Sequence, residues 1–139
     1  MRYLGVDPGG RRLGLAVADD ASGVASPFAV VAYDGVAAAA RMIAETAGEV
    51  GAARVVIGLP TLQDGSEAPG GRRSHLLMEA LHVLGVEVDL QSEFLSTDEA
   101  RRRARDAGRR PDRAIDDIAA QVILEEFLER RQTAPGAGG

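Results

Sequence analysis

At 139 residues the chain has room for one domain, and a make-up of 45% hydrophobic and 27% charged residues provides a core and excludes wholesale disorder. The absence of cysteine excludes a disulfide scaffold, a thiolate metal site and a Cys nucleophile, and it fits a reducing cytoplasm. The net charge is −5, yet all 16 basic residues are arginine, and seven of them crowd into 101–113, a local +5 against −10 for the remainder. Such a cluster is either a solvated helix and turn or a contact for a polyanion.

The first third reads as strands. Residues 3–7 form a short apolar run that stops at Asp7-Pro8-Gly9-Gly10, a strong turn signal. Residues 13–18 and 24–31 follow, the latter interrupted by Pro27, which predicts an edge strand or a late start. Short connections predict antiparallel neighbours. Apolar spacing then predicts a helix over 36–50. Residues 54–59 (RVVIGL) form the continuous apolar run of a strand buried on both faces. A Gly/Pro/Asp-rich loop is expected over 61–71, a helix over 72–84 closed by Gly85, and a strand over 86–90 with one polar face. Ser96 and Glu99 make a capping box for a helix to about residue 107, broken at 108–112. The last helix spans 114–131. No apolar stretch nears the ~20 residues of a membrane span, and no basic leader precedes the first strand, so neither membrane insertion nor secretion is expected.

This order predicts an α/β fold: a five-stranded mixed sheet, a three-strand antiparallel meander plus parallel strands, flanked by helices on both faces. The first, fourth and fifth strands run parallel, with the fifth ending beside the first, and ligands are expected at their carboxyl ends. One domain covers 1–131, and a flexible tail covers 132–139.

Carboxylates gather at that edge. Asp7 ends the first strand on the face of Tyr3 and Gly5, either as a turn former or as a functional group. Glu93 follows the fifth strand, either as one more step of polar alternation or as a second acid. Asp116 shares a helix face with Ala119, Ala120, Ile123 and Phe127, and so is expected to point inward at the rim of the core. Acids suit a helix N-terminus, but one aimed at the core calls for a cation partner, either an Arg or a divalent metal. Asp117 is assigned to the flank with Gln121. His75 and His82 are expected at the surface, which leaves an oxygen-only donor set suited to Mg²⁺ or Mn²⁺.

The segments GVDPGGRRLGLAVAD at 5–19, VVIGLPTLQDGSEAPG at 55–70, SEFLSTDEA at 92–100 and IDDIAAQVILEEFL at 115–128 resemble, in order and spacing, the YqgF/RuvX family. The resemblance covers the chain to about Arg131. It implies an RNase H-like fold and a metal-dependent endonuclease acting on phosphodiester bonds, in pre-16S rRNA processing or Holliday junction resolution. It matches Asp7, Glu93 and Asp116 to the family's acidic residues and Arg12 to its basic one. Phe94, Ser92 and Leu62 depart from the family's usual Arg, Asp and Asn, and Asp117 is an additional acid that could serve as an alternative ligand. On this reading Arg12, Arg101, Arg102, Arg105, Arg109 and Arg110 hold phosphates of precursor rRNA or branched DNA. A homodimer would suit a four-way junction, which presents two scissile strands. A non-catalytic RNA-binding ribosome-assembly factor is the alternative. A phosphate-binding piece of the actin/sugar-kinase type is disfavoured by length.

Overall fold

Strand β1 (Arg2–Pro8) is buried along all but its first residue. It lies at the centre of a five-stranded sheet of order β3-β2-β1-β4-β5. β2 (Arg12–Asp19) and β3 (Val24–Ala32) follow as an antiparallel meander, because their connections are too short for any crossover. β3 is the edge, as Pro27 foretells. Leu15 pairs with Ala29 and Ala16 with Pro27, so Phe28 is the extra residue of a bulge, which removes Pro27 from any need to donate to the ladder.

Helix α1 (Val36–Val50) buries Ala39, Ala40, Ile43 and Ala47 and stops at Gly51, whose φ of 71° is the left-handed conformation of a helix end. It returns the chain to β4 (Ala52–Thr61), parallel to β1. Helix α2 (Gly71–Val83) ends in a Schellman motif: Val86 donates to the Leu81 carbonyl and Gly85 to that of His82, both at 3.0 Å. β5 (Val88–Phe94) pairs parallel with β4. The structure, a computed structural model, describes residues 1–9, 11–68, 70–94 and 113–133, with side chains of the last segment from Ile118 to Arg131. The helix expected after Ser96, the Arg-rich stretch with Arg101, Arg102, Arg105, Arg109 and Arg110, and residues 134–139 lie outside the described residues. Helix α3 (Arg113–Thr133) completes the chain.

Three expectations are corrected. The fifth strand does not end beside the first, because β4 lies between them. A strand as apolar as β4, buried on both faces, must also satisfy backbone groups on both edges, and it does so with β1 on one side and β5 on the other. Glu93 therefore lies within β5, opposite Pro60, and not after the strand. The 61–71 loop is partly ordered into pairing: β4 runs on to Thr61, Thr61 bridges to Glu67, and Ala68 donates to the Pro60 carbonyl at 3.0 Å.

Side-chain alternation splits the core into two layers. Leu4, Val6, Leu13, Leu15, Val55 and Ile57 pack beneath α1 and α2. Tyr3, Ala16, Ala18 and Val56 pack beneath Ala120, Ile123, Leu124, Phe127 and Leu128 of α3. The second layer leads to the candidate site.

Candidate active site

Asp7 is on the α3 side of β1, two residues after Gly5, and is only 3% exposed. Its partner on β2 is Gly14, which presents no side chain toward it. Gly9 donates to the Asp7 carbonyl at 2.9 Å, which closes a three-residue turn immediately after the carboxylate. Tyr3, at the base of this face, has its phenol pushed above the usual range, chiefly by burial, so the floor beneath Asp7 stays neutral.

Glu93 enters the same face from β5. Two strand spacings, about 10 Å, separate β1 from β5. The intervening residue that decides the geometry is Gly58. A Cβ there would lie 3.4 Å from the Glu93 Oε2 and 2.5 Å from the Ile123 Cδ1. The Glu93 carboxylate thus lies against β4 at Gly58, within van der Waals contact of where a side chain there would begin. Gln91, in register with Gly58, is 7% exposed, and its Oε1 is buried with no hydrogen-bond partner among the described residues. Farther down this face Arg54 and Asp89 pair at 2.8 Å.

Helix α3 rests directly on the two glycines. A Cβ on Gly5 would meet the Leu124 Cγ at 2.5 Å and the Ala120 carbonyl oxygen at 3.1 Å. Phe127 packs edge-on against Tyr3, with ring centroids 5.5 Å apart. Leu124 over Gly5 and Phe127 over Tyr3 make α3 run against β1, so its first turn reaches the Asp7 end of the sheet. That turn contains Asp116 and Asp117. At about 100° per residue, Asp116 falls close to the helical line of Ile123, above β4, and Asp117 close to that of Leu124, above β1. Farther along the helix Ile123, Leu124, Phe127 and Leu128 are all buried.

Arg12 joins from β2. Leu13 and Leu15 belong to the opposite layer, so Arg12 shares Asp7's face, partly exposed, just past the Pro8–Leu13 pair. His75 pairs with Glu67, and His82 is exposed, so the histidines are surface groups as expected. Among the described residues no group of three or more His, Asp or Glu gathers at one point. Asp7 and Glu93 are described, whereas the Asp116 side chain is not. A cleft of about 450 Å³ lined by Arg2, Asp19, Val24, Phe28 and Val50 lies at the opposite end of the sheet and takes no part in this arrangement.

Sequence reasoning missed Gly58, although a glycine inside an apolar strand is a mark of close approach. It also missed Arg73 and Ser74 at the start of α2. Arg73 donates to the Gly9 carbonyl at 2.6 Å, and the buried Ser74 donates to that of Gly58 at 2.7 Å. No local pattern distinguishes them from other polar residues of a first turn.

A central strand ending in a buried acid, a second acid from a parallel strand and a covering helix on the same face define an RNase H-like α/β protein. The RuvC structure of Thermus thermophilus matches with a TM-score of 0.54 at 17% identity, covering 95% of this chain and 96% of that one. The fowlpox virus resolvase, in complex with Holliday junction DNA, matches with a TM-score of 0.51 at 13% identity, covering 92% and 99%. The family model described as "RuvX: Holliday junction resolvase" matches residues 1–130. The chain belongs to the RuvX family and, with it, to the nucleases. Relatives from Anaeromyxobacter sp. strain Fw109-5 (42% identical over 135 residues, covering 94% of this chain and 98% of the relative) and Myxococcus xanthus (36% over 133 residues, covering 93% and 88%) carry the name "Putative pre-16S rRNA nuclease". Among the described residues no helix is long and apolar enough to cross a membrane.

Proposed function

We propose that this chain is a metal-dependent endonuclease whose working acids are Asp7, Glu93 and Asp116, with Asp117 as an alternative ligand. The observation that carries the reading is the Glu93 carboxylate set against Gly58 on the face of the sheet that also holds the buried Asp7, under α3. The donor set fits Mg²⁺ or Mn²⁺. It consists of oxygens alone, it is held on strands, and the buried Gln91 Oε1 adds a neutral acceptor on the same face. When bound, two such cations supply activation of the attacking water and stabilisation of the leaving oxygen.

The chain's own groups do the rest. Asp7 and Glu93 hold their charges on a rigid sheet, so no reorganisation is needed as charge develops. Arg12, beside Asp7 and partly open to water, holds a phosphate next to the scissile one. Arg101, Arg102, Arg105, Arg109 and Arg110 extend the phosphate track. Residues 1–131 act as a single nuclease domain in the cytoplasm. Precursor rRNA is supported by the names of the relatives, and branched DNA by the family description and by the junction-bound neighbour. A symmetric homodimer matches the second substrate, because a four-way junction offers two equivalent strands.

The test is cleavage of defined precursor rRNA and of four-way junction DNA side by side, with Mg²⁺ and with Mn²⁺, alongside calorimetric titration of each metal. We expect metal binding and metal-dependent cleavage of at least one substrate. A flat titration with tight RNA binding and no cleavage would replace the enzyme with a ribosome-assembly factor.

A further inference from the structure

The first turn of α2 grips both strands of the site from the opposite face of the sheet. The Arg73 Nη1 donates to the Gly9 carbonyl at 2.6 Å, two residues after Asp7. The same guanidinium lies 4.1 Å from the centre of the Tyr33 ring. Tyr33 in turn donates its amide to the Arg11 carbonyl at 2.9 Å. One cation therefore ties the turn that leaves Asp7 to the segment that closes over its far end. The next residue, Ser74, is fully buried and donates to the carbonyl of Gly58, the residue beneath the Glu93 carboxylate. Arg suits this place and Lys does not: a planar guanidinium can stack on a ring and donate at its edge at the same time.

We infer that Arg73 is a positioning residue for the nuclease site, acting through the Pro8–Gly9 turn and Tyr33 to fix Asp7 and Arg12 against the Glu93 side. This rests on the endonuclease reading above. The arginine's hydrogen bond and its stacking both turn inward, to the protein's own backbone and ring. Its loss therefore loosens the turn without removing a phosphate contact. Displacements of about 1 Å in a catalytic constellation cost up to roughly 100-fold in rate.

The experiment compares Arg73→Met, Arg73→Lys, Tyr33→Phe and Tyr33→Leu in the full chain. Four readouts are taken: turnover at saturating substrate, calorimetric Mn²⁺ titration without substrate, salt dependence of substrate binding, and amide exchange at Gly9 and Tyr33. Arg73→Met is expected to lower turnover about 10-fold or more and to weaken Mn²⁺ binding several-fold, with the salt slope unchanged. Lys should restore part of both, Tyr33→Phe should match the parent, and Tyr33→Leu should follow Arg73→Met in milder form. Amide exchange at Gly9 and Tyr33 should quicken in the two damaging variants while bulk amides keep their protection. A salt slope flattened by about 0.7–0.9 would make Arg73 a phosphate contact and overturn the inference, as would unchanged turnover and Mn²⁺ binding in Arg73→Met. If the parent itself neither binds Mn²⁺ nor cuts, the endonuclease reading fails. Amide exchange then decides the clamp alone, quickened exchange supporting it and unchanged exchange refuting it. Tyr33→Leu, which leaves the arginine in place, covers the case in which Arg73→Met does not fold.

Discussion

On the proposed reading Asp7 is the residue on which the chemistry turns, because the sheet buries a carboxylate there on the same face as Glu93. Asp7→Asn should abolish cleavage while the metal-free protein melts at the same temperature or higher, since a buried negative charge is removed without loss of volume. Cleavage at a comparable rate would dismiss the assignment. Asp116→Ala should lose metal binding and activity, while Asp117→Ala keeps most of both, because the line of Asp116 runs over β4 beside the Glu93 carboxylate. Calorimetry on the two variants separates them. The electrostatic benefit of an acid at a helix N-terminus, about 0.3–1 kcal/mol, is too small to mimic a lost ligand. At this scale the sequence was legible where periodicity speaks, as for Asp7 on the face of Tyr3 and Gly5.

At the scale of elements, the two glycines decide how closely α3 lies on the sheet. Gly58→Ala pushes a methyl into the Ile123 side chain and against the Glu93 carboxylate. It should cost about 1–3 kcal/mol of stability, read by denaturant unfolding, and lower cleavage as well. An unchanged midpoint would mean that α3 can lift without penalty. The helix also carries an acid among acids: the Glu126 carboxyl, exposed at the helix surface but partly desolvated, is raised above its ordinary value by that desolvation first, and then by Glu129 and Glu125. The folded state therefore holds that proton more tightly than the unfolded chain does. Its ionisation weakens the fold, with the penalty growing as pH rises above about 4.5 and complete above the folded value. Glu126→Gln should raise the melting temperature at pH 7, with the gain vanishing by about pH 4 in the same assay. Helices α1 and α2 were readable from apolar spacing, and the end of α2 because Gly85 marks it chemically. The insertion of β4 between β1 and β5 was not, because strand order follows from which edges remain to be satisfied, a property of the sheet and not of any one segment.

For the whole molecule, charge is unevenly distributed along the sequence. An acidic body and an Arg-rich stretch at 101–113 predict that affinity and chemistry are separable. Neutralising Arg101, Arg102 and Arg105 together should weaken nucleic-acid binding and flatten log K against log salt by about 0.7–0.9 per lost contact, with turnover at saturation little changed. An unchanged slope would reduce the cluster to a solvated face. The fold class was legible because the meander and the two crossovers leave few alternatives. The proposal that acids from positions 7, 93 and 116 act together rests on topology and on the family resemblance, since no local motif spans them.

That dispersal has a consequence for how the protein is made. Asp7 leaves the ribosome with the first strand, Glu93 with β5, and the helix that seats itself over Gly5 and Gly58 follows both. A growing chain thus carries the acids of the proposed site apart from one another. On that reading cutting begins only once the covering helix is free to dock, and the order of translation itself keeps the nuclease disarmed.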